Sequence, residues 1–249
     1  MSCFRLLFLL IGLLITNKYS WAQDHNYHQL FSTEFSQATK YLSANKWIKD
    51  SLESRGIDPL IALSIVFPEL LRYHKLQNQI EVTALKTLYV QYGASFADFS
   101  IGHFQMKPSF AEEIENQWNQ LKEKPSTCAY IHFNTEKSEN IRALRVKRLD
   151  QDQGQILYLS LFYFLVEQKF ATLCSSSIPN KIQFFSTAYN CGFYKKAHTI
   201  IQKSHQQEFT LDLYPSCFSK FYSYSDIALY FYKYALNTNF LASNVKKKQ

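Results

Sequence analysis

The most informative stretch of this chain reads Ala97-Asp98-Phe99-Ser100-Ile101-Gly102-His103-Phe104-Gln105-Met106-Lys107-Pro108-Ser109-Phe110-Ala111. It contains the pattern Gly-x-x-Gln-x-x-Pro, followed by a run with helical character. Ser109 precedes Glu112 by three residues, which is the spacing of a capping box at a helix N-terminus. The stretch therefore predicts a turn around Gln105 that leads directly into a helix.

An apolar run with a single acid precedes this turn. It reads Ile61-Ala62-Leu63-Ser64-Ile65-Val66-Phe67-Pro68-Glu69 and continues with two leucines. Apolar surroundings raise the pKa of a carboxyl group, as a general acid requires near neutral pH. Pro68 removes a backbone hydrogen bond, so we expect the helix to kink or restart there and to aim Glu69 away from the packing face. The competing interpretation is a structural glutamate that is ion-paired with Arg72.

The rest of the chain has a helical pattern almost throughout. Only six glycines occur in 249 residues, apolar residues recur at spacings of three and four, and no run shows the clean alternation of a strand. The sequence therefore predicts an all-α fold. A third motif, Ala188-Tyr189-Asn190-Cys191-Gly192, is expected to form a turn late in the chain. We expect helices over 80–92, 109–122, 138–150, 152–170, 180–189, 194–206 and 225–236.

The three motifs, in this order, resemble those of the lytic transglycosylase and goose-type lysozyme family. The resemblance implies an all-α, lysozyme-like helical domain in which Glu69, at the end of the apolar helix, is the catalytic acid. Gly102 and Gln105 match a family stretch whose glycine permits a tight backbone and whose glutamine reaches the sugar. Tyr189 matches a tyrosine that lies near the acid. The substrate-binding residues implied by the resemblance are Gly102, Phe104, Gln105, Tyr189 and Asn190.

Several positions depart from the family pattern. The chain reads Pro-Glu-Leu where the family often has Gln-Glu-Ser, and Phe193-Tyr194 stands where Pro-Gly usually follows the third motif. Glu69 and Gln105 are 36 positions apart, a longer separation than is usual in the family, because an additional helix is inserted between them. Glu81, on that inserted segment, is therefore a competing candidate for the acid.

Four further side chains have open roles. Asp98 is either a second carboxylate that activates water, as in an inverting hydrolase, or a cap of the glutamine turn. His103 is either a proton shuttle or a structural residue that bonds a backbone carbonyl, and we prefer the structural role. Tyr224 and Tyr230 are candidate cavity-lining residues by analogy with late tyrosines of the family.

The N-terminus has the pattern of a signal peptide. A positive charge at Arg5 precedes ten uncharged, almost wholly apolar residues, and Ser20-Trp21-Ala22 is a small-x-small cleavage site. The apolar run falls short of the about 20 residues that span a bilayer, so we expect an exported, periplasmic or secreted protein of the cell envelope with no stable membrane span after cleavage. The predicted organisation is a signal peptide 1–22, an N-terminal helical extension 23–56, a lysozyme-like catalytic domain 57–236 and a basic C-terminal tail 237–249.

The charge of the chain is compatible with an anionic polymer as partner. The formal charge is +7, and cleavage after Ala22 leaves 25 Lys and Arg residues against 20 Asp and Glu residues, or +5. A basic surface suits peptidoglycan, although a solvated lysine tail at 246–248 explains the excess as well. We expect no nucleic-acid partner, because the chain is exported, and the resemblance implies no metal or organic cofactor.

Four cysteines follow the predicted cleavage site, an even number that suits disulfides in an exported protein. Nearest-neighbour pairing links Cys128 with Cys174 and Cys191 with Cys217. Buried free thiols are the alternative, and the spacings match no zinc motif.

The resemblance implies cleavage of the MurNAc–GlcNAc β-1,4 bond of peptidoglycan. Glu69 protonates the leaving oxygen and then accepts the proton of the muramic 6-hydroxyl, so the product is a 1,6-anhydro end and no second carboxylate is needed. One alternative is a goose-type hydrolytic lysozyme that uses Asp98. Another is a catalytically inactive lysozyme-like protein that binds glycan strands.

Overall fold

A computed structural model of the chain describes residues 26–75, 79–125, 131, 133–174, 177–212 and 215–241. These residues are mostly helical, as predicted, with twelve helices and one short antiparallel pair of strands. In chain order they are α1 (Tyr27–Leu30), α2 (Ser32–Ala44), α3 (Trp47–Glu53), α4 (Pro59–Lys75), α5 (Gln79–Tyr92), α6 (Pro108–Gln120), α7 (Ser138–Leu149), α8 (Asp152–Lys169), α9 (Ala171–Cys174), α10 (Ile178–Cys191), α11 (Ala197–Lys203), β1 (Gln207–Phe209), β2 (Tyr222–Ser223) and α12 (Tyr224–Asn237).

The helical periodicity of the sequence is confirmed in detail. All seven helices predicted from spacing are present as α5 to α8 and α10 to α12, and each begins and ends within three residues of the expected bounds. The strands β1 and β2 were not predicted. They contain three and two residues, which is too short for an alternating pattern to show in the sequence.

The chain divides into two compact units between Ser32 and Thr33. The first unit contains α1, whose N-cap Asn26 accepts a hydrogen bond from the backbone N–H of Gln29 at 3.2 Å. The second unit contains the remaining helices. The helical segment 33–56, which we expected to form an extension, packs within this unit, since the ring of Phe35 lies 4.9 Å from that of Phe67 on α4.

Helix α4 is the central element of the second unit, and it packs against α10 and α12. Every residue from 61 to 71 is buried, so this helix is surrounded by protein on all sides. The rings of Phe67 and Phe231 stack at 3.8 Å where α4 meets α12. A polar side chain in this stretch therefore lies in an apolar environment, which is the setting of Glu69.

Pro68 does not interrupt α4. The helix continues through it to Lys75, so the predicted restart is wrong. A proline inside a helix costs about 3 kcal/mol, because it removes one hydrogen bond and crowds the preceding turn. Complete burial of the neighbouring turns stabilises the continuous helix by more than this cost, since each fully buried large apolar side chain contributes about 1.5–3 kcal/mol.

A buried ionic network joins helices α5 to α8. Arg145 of α7 donates to both carboxylate oxygens of Glu115 on α6, at 3.0 and 3.1 Å from Nε. Its Nη1 also donates to Glu112 at 2.9 Å and to the hydroxyl of Tyr89 on α5. Tyr158 of α8 donates to Glu115. The pairing satisfies charges that would otherwise be costly to bury and holds the four helices together.

No helix within the described ranges is both long and apolar enough to cross a membrane. The predicted signal peptide and the lysine tail lie outside the described residues.

Candidate active site

The three sequence motifs meet around one cavity of about 250 Å³ in the second unit. Glu69 comes from α4, Gln105 from the turn that precedes α6, and Tyr189 and Asn190 from the end of α10. Asp98, at the start of the turn, lines the same cavity. The structure thus brings together residues that are up to 121 positions apart in the chain, from Glu69 to Asn190.

The glutamine turn is a tight loop closed by its own backbone. Ile101 and Met106 exchange two backbone hydrogen bonds of 2.9 and 3.1 Å. Within the loop, Gly102 has a φ of 69° and Gln105 a φ of 48°, both in the left-handed region. The Gln105 side chain donates from Nε2 to the carbonyl of Gly102 at 2.8 Å, which fixes its position at the edge of the cavity.

Gln155 of α8 supports this turn through two side-chain hydrogen bonds. Its Oε1 accepts the backbone N–H of Phe104 at 2.7 Å, and its Nε2 donates to the carbonyl of Leu149 at 2.9 Å. A Cβ placed on Gly102 would lie 1.8 Å from Nε2 of Gln155. The glycine is therefore required both by its φ and by the Gln155 side chain. Gln155 could not be predicted from the sequence, because no local pattern marks a contact 51 residues away.

Glu69 is a buried acid with one close cationic partner. The residue is only 5% exposed, and burial raises the pKa of its carboxyl group. Arg72, whose Nη1 lies 3.2 Å from Oε2, and Lys107 both oppose this rise without reversing it. The two interpretations from the sequence therefore hold together: Glu69 is ion-paired with Arg72, and its pKa is nevertheless raised.

Arg72 connects the acid to the β1 region. Its Nε and Nη2 donate to the carbonyl of Thr210 at 3.1 and 2.9 Å, and its guanidinium carbon lies 4.2 Å from the ring centre of Phe209. These contacts hold the guanidinium in a fixed orientation, so its charge acts on Glu69 from a fixed distance.

Tyr189 ties the third motif to the glutamine turn. It is buried, and its hydroxyl donates to the carbonyl of Phe104 at 2.7 Å. Its ring makes edge contacts with Phe110 at 5.0 Å and Phe162 at 5.3 Å. Burial, and then the Glu69 carboxylate, raise the pKa of Tyr189, so its hydroxyl is a hydrogen-bond donor throughout the physiological range.

Asp98 caps the helix that follows the turn. Its Oδ1 accepts the backbone N–H of Ser109 at 3.1 Å, and its Oδ2 lies 3.6 Å from Nζ of Lys107. Helix α6 begins at Pro108, with Lys107 as N-cap and no capping bond from that side chain. The predicted capping box of Ser109 and Glu112 is therefore wrong. Asp98 supplies the acceptor from outside the helix, while Glu112 takes part in the buried network.

Phe104 does not line the cavity, which corrects its assignment as a substrate-binding residue. Its side chain is fully buried, and only its backbone contributes to the site, by accepting from Tyr189 and donating to Gln155. Gly102 does not line the cavity, and its carbonyl accepts a hydrogen bond from the Gln105 side chain. Tyr224 and Tyr230 do not line the cavity either; Tyr224 is buried, with its hydroxyl unbonded among the described residues.

His103 does not line the cavity, and it bonds a carboxylate rather than a backbone carbonyl. Its Nδ1 lies 2.8 Å from Oδ1 of Asp152, the first residue of α8. Its ring stacks on Tyr41 of α2 with centroids 4.0 Å apart. The preferred structural role is consistent with these contacts, although the predicted partner was wrong, because Asp152 lies 49 residues further along the chain.

Cys191 and Cys217 are free thiols, so their predicted disulfide is not formed. Cys191 lines the cavity at the end of α10, and Cys217 is exposed on the segment between β1 and β2. Cys128 and the side chain of Cys174 lie outside the described residues, as does the side chain of Glu81, the competing acid.

In the part of the chain that the structure describes, no group of three or more His, Cys, Asp or Glu side chains is placed to hold a metal ion. The chain matches no protein-family model, no curated protein and no solved structure.

Proposed function

We propose that this protein is a lysozyme-like enzyme that cleaves peptidoglycan as a lytic transglycosylase. The observation that carries the proposal is the convergence of the three motifs on one cavity, with the buried Glu69 among its lining residues. Motifs that matched the family by chance would not be expected to meet in space from three separate elements.

The chemistry requires an acid that holds a proton near neutral pH. Burial raises the pKa of Glu69 in this direction, and the cavity gives a sugar access to the carboxyl group. In the proposed reaction the proton moves from Glu69 to the glycosidic oxygen as the C1–O bond breaks. The carboxylate then takes the proton of the muramic 6-hydroxyl, whose oxygen bonds C1 to give the 1,6-anhydro product. No water is consumed, and Glu69 ends the cycle protonated.

The other cavity residues suit binding. Gln105 and Asn190 present side-chain amides, which bond the hydroxyl and acetamido groups of amino sugars. Lys107 is half-exposed at the cavity and can bond an anionic group of the muramic residue. Tyr189 already donates to Phe104, so we assign it the role of fixing the turn that carries Gln105.

The hydrolytic alternative needs Asp98 as a base that activates water. Both oxygens of Asp98 already have partners, Ser109 and Lys107, and the bond to Ser109 caps α6. We therefore favour the reaction with one carboxylate, in which Asp98 keeps the turn and the helix in register.

The test is digestion of purified peptidoglycan sacculi, with mass spectrometry of the released muropeptides. We expect 1,6-anhydro ends, about 18 Da lighter than reducing ends because one water is not added. Glu69→Gln should abolish release, whereas Asp98→Asn should retain most of it. Glu139→Gln, an exposed glutamate on α7, is the control for loss of a carboxylate alone.

Three outcomes would contradict the proposal in different ways. Reducing ends together with strong loss in Asp98→Asn would indicate a hydrolase. Full activity of Glu69→Gln with loss in Glu81→Gln would move the acid to Glu81. Binding of sacculi without release of any product would indicate a glycan-binding protein.

A further inference from the structure

The turn after the third motif presents an aromatic ring to solvent at the edge of the cavity. Tyr194 is 58% exposed and lines the same cavity as Glu69 and Gln105. Among the exposed large apolar side chains of the described ranges, it alone lines this cavity. An exposed aromatic ring adds little to folding stability, since most of its apolar surface stays in water.

The ring is held in place by the backbone beneath it. A Cβ placed on Gly192 would lie 2.5 Å from Cε1 and 3.1 Å from the hydroxyl oxygen of Tyr194, so the ring edge lies directly against the glycine. Gly192 has a φ of 101°, a conformation that glycine adopts without strain. The motif glycine therefore allows the chain to turn and also leaves room for the ring.

The neighbouring residue anchors the turn in the core. Phe193 is fully buried, and its ring meets Phe110 at 5.6 Å and Phe162 at 5.7 Å edge to face. Its carbonyl accepts a hydrogen bond from Nζ of Lys169 at 3.1 Å. The backbone that carries Tyr194 is thus fixed in the core, and contact with Gly192 restricts its ring, so less conformational entropy is lost when a ligand packs on it.

We propose that Tyr194 is a stacking platform for one sugar ring of the glycan, and so a specificity-determining residue of the cavity. The inference rests on the proposed function, because the ligand it assigns is an N-acetylated hexosamine. The C–H face of such a pyranose is flat and apolar, and it packs against the electron-rich face of an aromatic ring. The polar side chains Gln105 and Asn190 then bond the edges of the bound glycan.

The test uses Glu69→Gln as parent, so that a bound glycan is not cleaved. Calorimetric titration with the soluble β-1,4-linked hexamer of N-acetylglucosamine, and sedimentation with purified sacculi, measure binding. Tyr194→Ala should bind both glycans about three- to tenfold more weakly, which is the range expected for loss of one aromatic contact. Tyr194→Phe keeps the ring and should bind within about twofold of the parent, since its loss is only the hydroxyl.

Tyr92→Ala is the matched control, because Tyr92 is 55% exposed at the end of α5 and does not line the cavity. It should bind like the parent. Equal binding by Tyr194→Ala, or an equal loss in Tyr92→Ala, would overturn the platform. With Glu69 restored, Tyr194→Ala should raise KM and leave kcat near its original value.

The platform and the catalytic proposal can fail separately. If the chain with Glu69 restored releases product but Tyr194→Ala binds as tightly as its parent, the stacking role of Tyr194 is refuted and the catalytic proposal stands. If binding depends on the Tyr194 ring but no product is released, the catalytic proposal is refuted and the stacking role stands. Absence of binding to either glycan by every variant would remove both.

Discussion

The replacement of Gly102 by alanine tests how the glutamine turn is held. The added Cβ would lie 1.8 Å from Nε2 of Gln155, so the glutamine must leave its position. That movement breaks the bonds from Gln155 to the Phe104 N–H and to the Leu149 carbonyl. The alanine must also adopt a φ of 69°, which L-residues rarely do.

The loss in the free energy of unfolding can be estimated from these contacts. A left-handed conformation costs a non-glycine residue about 1–2 kcal/mol. Each buried backbone group left without a partner costs about 1–3 kcal/mol. With two such groups at Phe104 and Leu149, and after a gain of about 0.4–1 kcal/mol from the less flexible unfolded chain, Gly102→Ala should lower the free energy of unfolding by about 2–8 kcal/mol.

Gly56→Ala is the matched control for this substitution. Gly56 has a φ of 74°, and a Cβ placed on it would meet nothing within 4 Å. It should therefore lose only the conformational part, about 1–2 kcal/mol, which the same gain from the unfolded chain reduces to about 0–2 kcal/mol. Urea unfolding followed by circular dichroism gives both values. A chain of this size loses about 2–4 °C in Tm per kcal/mol, so a thermal scan should separate the variants clearly.

A double substitution isolates the clash. In a Gln155→Ala background the three atoms nearest to the added Cβ are gone, so adding Gly102→Ala should cost only the conformational part, about 0–2 kcal/mol after the gain from the unfolded chain. Equal losses for Gly102→Ala and Gly56→Ala, or the same cost of Gly102→Ala with and without Gln155, would refute the reasoning that the Gln155 side chain requires glycine.

Two further predictions concern the acid. Arg72→Met removes the cation whose charge lowers the pKa of Glu69, so the alkaline limb of the pH–rate profile should move to higher pH. Arg72→Lys keeps the charge and should move this limb less. A shift of the limb to lower pH would contradict the ion pair. Burial raises the Glu69 pKa above its value in the unfolded chain, about 4.3, so this group's contribution to stability is present below that pH and is lost as pH rises through the folded pKa. Calorimetric scans should accordingly show the Tm of Glu69→Gln gaining on that of the parent between pH 4 and pH 8, and a difference that does not change with pH would contradict the raised pKa.

The helices could be predicted from the sequence because the signal that produces them is local. Apolar residues at spacings of three and four define one face of a helix within a window of a few turns, so the bounds of α6 to α8 follow from the sequence. The same locality explains the failure at Pro68. A proline is a helix breaker in isolation, and only the burial of α4 on all sides explains why the helix continues.

Only part of the candidate site could be predicted from the sequence. Features set by neighbouring residues were predicted, whereas contacts between residues far apart in the chain were not. The tight turn expected at Gly102 is an example of a local feature, and this glycine has the positive φ that such a turn needs. Phe104 directly precedes the cavity residue Gln105 and was assigned to substrate binding. It is instead a core side chain, because the tight turn points it inward. The exposure of Tyr194 could not be predicted, since the pair Phe193-Tyr194 does not indicate which of its two rings faces solvent.

The sequence by itself determined the helical class and the bounds of seven helices, and it marked the three motifs whose residues line one cavity. Only the tertiary structure decided which partners those residues have. Gln155 bonds Phe104 across 51 positions, and Arg72 bonds Thr210 across 138. Such pairs form because packing brings distant helices together and because buried polar groups must find partners there. A periodic pattern carries information about one helix face, and it contains none about which residue of another element will lie against that face.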